Sequence, residues 1–221
     1  MTRFISTKTR LFLLFSLSVF TALVLSGCGP FSSDDDDANS ADTAAAGDSE
    51  GNPGVILDEP YPAPDFTLTT HEGEEFRLSD QTGQAIGIFF GYTGCPDICP
   101  LTLGFMAHAA EELGEDAEDV TFLLVTVDPE RDDPERLKSY ISRVDAPIIA
   151  LTGEREVLDQ VWDDYDIFVE RQEREDGSYL VDHSGQIWLI APDGELTMFT
   201  PMGADGDDLH AAIRWLLDRE G

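Results

Sequence analysis

The hydrophobic positions fall in short runs separated by charged turns, and the period of the runs changes along the chain. Residues 64–70 alternate apolar and polar, as a half-buried strand does, and residues 75–78 return after a turn, which predicts a β-hairpin. Residues 85–91 and 120–127 are nearly continuous apolar and β-branched runs, the pattern of strands covered on both faces. Between them residues 101–113 read as a helix and residues 114–119 as an acidic loop. Asp133-Pro134 signals a helix start, with the helix running to about Val144. Residues 147–151 form a third short strand, and residues 154–165 form a helix with Val157, Leu158, Val161 and Trp162 at core spacing. Residues 167–169 and 179–181 flank a polar tip containing Asp176-Gly177, the signature of a second hairpin. Residues 186–191 and 196–199 are strands joined through Pro192-Asp193-Gly194, and residues 207–219 make a closing amphipathic helix.

Ahead of this patterned region the composition changes twice. Arg3, Lys8 and Arg10 precede an apolar segment at residues 11–25, too short for a comfortable membrane span and shaped like a signal peptide. It ends in Leu25-Ser26-Gly27-Cys28, which resembles the lipobox of bacterial lipoproteins, with Cys28 as the lipidated residue. The plainer alternative is an uncleaved anchor with an incidental cysteine; both place the remainder outside the cytoplasm and tethered to a membrane, where oxidised thiols persist. Residues 28–60 are rich in Asp, Ser, Ala and Gly without apolar periodicity, so they read as a disordered tether. Thirty such residues reach about 30 Å on average, further when like charges repel. The organisation expected is therefore a signal peptide at 1–27, a tether at 28–60 and a folded domain at 61–221.

The formal net charge of −32 excludes nucleic acid as a partner on electrostatic grounds. Only Lys8 and Lys138 are lysines, and an acidic surface this poor in lysine suits a salt-rich habitat in which counterions screen self-repulsion.

Three cysteines occur; with Cys28 assigned to lipid, Cys95 and Cys99 remain as a pair. They lie where a buried strand gives way to a helix, and amides and dipole at a helix start favour a thiolate. Four positions is about one helical turn, so both sulfurs can face one way, either to close a disulfide or to hold a soft metal ion. Strands alternating with helices, with this motif at the C-terminal edge of an early strand, predict an α/β protein of thioredoxin-like fold: a central mixed sheet flanked by helices, preceded by a β-hairpin. The spacer of three residues permits disulfide exchange as well as metal binding. What favours a metal is Val181-Asp182-His183-Ser184: two thiolates and an imidazole satisfy Cu(I), His183 precedes a core strand at the same sheet edge, and Asp182 could orient or charge the site from behind.

The segment 89–100, with Cys95-Pro96-Asp97-Ile98-Cys99-Pro100 at its centre, resembles the signature of the Sco/SenC family of copper-binding proteins. Val127-Asp128-Pro129-Glu130-Arg131-Asp132 and Val181-Asp182-His183-Ser184 match two further blocks in order, and Pro62-Ala63-Pro64-Asp65-Phe66 and Pro192-Asp193-Gly194 agree. The resemblance covers nearly everything from Tyr61 onward. It implies a thioredoxin-like fold that binds copper, Cu(I) or Cu(II), through Cys95, Cys99 and His183. It also implies a partner: the copper-bearing subunit of cytochrome c oxidase, whose dinuclear copper centre the family helps to assemble, or another copper or thiol acceptor. Gly94 stands where many members carry a larger side chain.

Two functions share these residues. A metallochaperone binds one copper and passes it on by ligand exchange, which needs His183. A thiol–disulfide oxidoreductase keeps the acceptor's cysteines reduced through Cys95 and Cys99 and survives without the imidazole. A peroxidase of related fold fits less well, lacking the expected Pro and Thr ahead of a single reactive cysteine; a redox or copper sensor is left open. Asp128 reads as a strand terminator, Glu130 and Arg131 as a local ion pair, and His71, His108 and His210 as solvated. Met198 and Met202 could lend thioethers to a transient copper but read as core or loop filling.

Overall fold

The computed structural model describes residues 54–219. Ten strands and four α-helices follow in the order β1 (Val55–Pro62), β2 (Thr67–Thr70), β3 (Glu75–Arg77), β4 (Ala85–Gly91), α1 (Ile98–Leu113), β5 (Val120–Thr126), α2 (Pro134–Ile141), β6 (Ile148–Thr152), α3 (Arg155–Asp164), β7 (Val169–Glu173), β8 (Tyr179–His183), β9 (Ile187–Ile190), β10 (Glu195–Thr200) and α4 (Gly206–Asp218). Eight strands form one mixed sheet in the order β1-β10-β9-β4-β5-β6-β2-β3, while β7 and β8 pair only with each other. Strands β4, β5 and β6 run parallel, and the pairings outward from them are antiparallel.

The two unbroken apolar runs become the sheet's centre. Every residue of β4 and β5 is buried. Parallel strands covered on both faces bury such sequences, and the crossover between them is long enough for α1. Helix α1 packs against α4, and α2 against β6. Asp133 caps α2 by accepting from the Arg136 N–H at 2.8 Å with Pro134 in the first turn, and Asp205 and Asp208 form a capping box on α4.

The expected hairpin of β2 and β3 is present, and the expected α/β architecture stands. Some boundaries differ: the first arm of the second hairpin, expected at 167–169, runs Val169–Glu173, and the helix expected to reach about Val144 ends at Ile141. Residues 55–60, read from composition as the end of the tether, belong to edge strand β1, which pairs Val55 with Phe199 and Pro62 with Glu195. Edge burial is partial, so Val55, Ile56 and Tyr61 are exposed and the strand lacks the dense apolar run of a central one. The acidic stretch 114–119 is a 3-10 turn rather than open loop. The signal segment and the tether as far as residue 53, including Cys28, lie outside the described residues, and among those described no helix is long and apolar enough to cross a membrane.

Candidate metal centre

Strand β4 delivers the chain to the thiols through Gly91. A Cβ there would sit 2.7 Å from a Phe89 ring carbon and 3.2 Å from Cys99 Sγ, so the missing side chain is what lets the sulfur rest on the strand end. Cys95, half-buried, lies in the turn before α1, and Cys99, fully buried, in its first turn. The thiols thus meet across a helix N-terminus rather than along one helical face: the Cys99 N–H donates to Cys95 Sγ at 3.4 Å. Both cysteines are free.

The third group arrives on the separate hairpin. His183 is the last residue of β8, and its Nε2 lies 3.6 Å from Cys99 Sγ. Its Nδ1–H donates to the Ser184 carbonyl at 2.8 Å, a tautomer that leaves Nε2 with its lone pair toward the thiols. The rings of Tyr92 and Phe89 meet the imidazole edge-on at 5.8 and 6.1 Å. The ligand atoms of Cys95, Cys99 and His183 lie within 4.8 Å of one another. Three donors around one ion at a metal–sulfur distance of about 2.3 Å stand about 4 Å apart, so the set closes on a metal with small movements. Two sulfurs and one imidazole suit a soft thiophilic cation.

The thiols divide the labour. The hydrogen bond from the Cys99 thiol, helped by the Asp97 and Cys99 amides, brings Cys95 down to about 4 against the opposing effect of its burial. The same hydrogen bond, with burial, pushes the Cys99 thiol up. The first proton therefore leaves from Cys95, and a cation bound at Cys99 would have to displace the second.

Asp182 falls elsewhere. Alternation along β8 turns it to the opposite side from Val181 and His183, where it is exposed and opposite Glu170. The group that orients the imidazole is the Ser184 backbone carbonyl, which no side-chain pattern announces. Arg131 pairs with Asp128 instead of Glu130, and Glu130 with Arg155. His71 is a structural acceptor for the Ala150 N–H at 3.2 Å, and His108 pairs with Asp207 at 2.7 Å. Met198 is buried in β10, whereas Met202 is exposed beside Gly185.

Two supports lie within the sequence blocks, Tyr92 in 89–100 and Asp132 in 127–132, without being candidate ligands. Tyr92, buried, accepts the Val181 N–H at 3.2 Å and so fastens β8 to the thiol side. Asp132, fully buried, accepts from the Thr93 N–H at 3.0 Å, the Thr93 hydroxyl at 2.6 Å and the Thr126 hydroxyl at 2.8 Å, pinning the loop that leads to Cys95.

The chain is 38% identical over 151 residues to the human mitochondrial SCO1 homolog; the match covers 67% of this chain and 50% of that protein, so the chain spans about half its length. Its fold superposes on copper-bound ScoI of Bradyrhizobium japonicum with a TM-score of 0.66 at 29% identity, covering 71% of this chain and 99% of that one. It superposes on a SCO1/SenC family lipoprotein from Bacillus anthracis with a TM-score of 0.62 at 25% identity, covering 73% and 99%. The SCO1/SenC family model matches residues 58–218, from strand β1 to the end of α4, and with the thioredoxin-like fold in place the chain belongs to the SCO1/SenC family.

Proposed function

We propose that this protein is a membrane-tethered, extracytoplasmic copper chaperone that holds one copper ion on Cys95, Cys99 and His183 and delivers it to the dinuclear copper centre of cytochrome c oxidase. The observation that carries the reading is the convergence of two sulfurs and one oriented imidazole within 4.8 Å. The copper-bound relative and the sequence blocks around both thiols and the imidazole support it. The tether reading rests on Leu25-Ser26-Gly27-Cys28 and on the lipoprotein relative.

The residues give the transfer an order. Cys95 is half-buried and the easier thiol to ionise, so it is the natural point of contact for an acceptor thiolate. His183 sits on an arm outside the main sheet and can withdraw as the acceptor's ligand enters. Cys99, fully buried, is the last to let go. Exchange of one ligand at a time avoids leaving the cation bare.

The lowered Cys95 thiol beside a protonated Cys99 also favours a second reading, reduction of the acceptor's disulfide. Cys95 thiolate attacks one acceptor sulfur and expels the other as thiolate; Cys99, losing its proton to the medium, then attacks Cys95 and releases the second, leaving Cys95–Cys99 oxidised and the acceptor reduced.

The test is Cu(I) stoichiometry and affinity in the reduced protein. About one ion per chain is expected, abolished in the Cys95→Ser, Cys99→Ser double variant and weakened at least tenfold, about 1.4 kcal/mol, in His183→Ala. Binding that survives the double variant unchanged refutes the site. Disulfide reduction that persists in His183→Ala assigns that activity to the thiols alone.

A further inference from the structure

Arg131 is no ligand in this reading, yet its contacts join the segments that carry the ligands. Its Nε donates to Asp128 Oδ2, and its Nη1 donates to the Tyr179 carbonyl at 3.1 Å. Its guanidinium carbon lies 3.7 Å from the Tyr179 ring centroid and 5.5 Å from that of Tyr92. A Cβ on Gly94, the residue before Cys95, would be 3.3 Å from the same carbon, so the guanidinium rests against the thiol loop. Arg171 lies over the Tyr179 ring at 3.6 Å. Two guanidinium groups cannot share one ring face at that range, so the ring is held between them. The Tyr179 hydroxyl donates to Asp128 Oδ1 at 2.8 Å, which fixes this residue by carbonyl, ring and hydroxyl together.

Tyr179 opens β8, the strand that ends in His183. Tyr179, Val181 and His183 are alternate residues, with side chains toward one face. The strand is tied down at the first by Arg131 and at the second by Tyr92, and the imidazole is the next residue in that register. Arg131 Nη2 is buried without a hydrogen-bond partner, so stacking and shape hold the guanidinium as much as its hydrogen bonds do. A lysine offers neither a planar face nor two separated donors.

We propose that Arg131 is a positioning residue for the metal centre, clamping Tyr179 so that the β7–β8 hairpin presents His183 to the two sulfurs. The inference rests on the reading of Cys95, Cys99 and His183 as ligands. It is tested with Cu(I) in competition with bicinchoninate, on wild type, Arg131→Lys, His183→Ala and the double variant. Arg131→Lys is expected to weaken binding about tenfold in wild type, yet to change it less than about twofold when His183 is already absent, because a residue acting through another shows this non-additivity. In the metal-free protein the Val181 amide should exchange with solvent faster in Arg131→Lys. Unchanged affinity, an equal loss in both backgrounds, or an unaltered Val181 amide overturns the proposal. Tyr179→Leu, which keeps the arginine and removes the ring it clamps, should give the same non-additive pattern and serves if Arg131→Lys does not fold. A His183→Ala variant that binds copper as wild type does overturns the underlying ligand reading instead.

Discussion

Cys99 Sγ and His183 Nε2 stand 3.6 Å apart across 84 residues of chain. The sulfur comes to that point on the first turn of α1, resting on Gly91; the nitrogen comes on the last residue of a two-stranded hairpin. Nothing local forces the two together. The packing of β8 against Tyr92 and Arg131 does, and the first prediction concerns that junction.

Tyr92→Phe keeps the ring that meets His183 edge-on and removes the hydroxyl that accepts the Val181 N–H. An orphaned buried amide costs about 1–3 kcal/mol. The melting temperature should fall by several degrees, and Cu(I) affinity should drop with it as β8 loosens. Calorimetry and chelator competition check both; a variant indistinguishable from wild type in melting would show that the hydroxyl does not carry the hairpin.

The thiols should differ in reactivity. With Cys95 held at about 4, iodoacetamide applied to reduced, metal-free protein should label Cys95 before the buried Cys99. The rate should be level from about pH 8 to about pH 6 and fall toward pH 4, because the lowered value keeps the thiolate populated until then. In Cys99→Ala the fall should move to higher pH, since the principal stabilising hydrogen bond is gone. Peptide mass spectrometry reads the site and the rate; equal labelling of both thiols contradicts the division of roles.

Asp132 should matter to the loop as much as to the core. Asp132→Ala leaves the Thr93 amide and two hydroxyls without their acceptor, at about 1–3 kcal/mol for each group left buried and unpaired. Burial raises the carboxyl above its usual range, so its contribution favours the fold at low pH and is lost as pH rises through the folded value. The advantage of wild type over Asp132→Asn should therefore shrink as pH is raised from the ordinary carboxylate range toward neutrality. Urea titrations at both ends of that range measure it, and a constant gap is the contrary result.

A chain begun at Tyr61, the boundary that composition suggested, lacks most of β1 and uncovers the edge of β10. It should melt several degrees lower and associate at high concentration, because an uncovered strand edge invites pairing with another chain. A chain begun at residue 54 should do neither. Light scattering and melting curves of the two, side by side, decide the point.

The core of this fold is plain in the sequence because buried parallel strands are written as continuous apolar runs, as at β4 and β5. The edge is not. Val55, Ile56 and Leu57 sit at the end of an acidic low-complexity stretch, and only their partner β10 shows them to be a strand. At the site, Cys95, Cys99 and His183 are legible because the chemistry needs those side chains in those blocks. Asp182 looks like their neighbour because it adjoins His183 in sequence, but adjacent strand residues face opposite ways. Tyr92 and Arg131 act through a hydroxyl to a backbone amide and a guanidinium to a carbonyl, and main-chain partners leave no trace in a list of side chains.

The two-stranded hairpin shares no ladder with the eight-stranded sheet. Moving its nitrogen donor away would therefore cost the Tyr92 and Arg131 contacts of β8 but no rung of the sheet that leads to both sulfurs. On the copper reading proposed above, a cargo held by three atoms would become one held by two without any unfolding, and the hand-over would be a motion of one arm instead of a reorganisation of the domain.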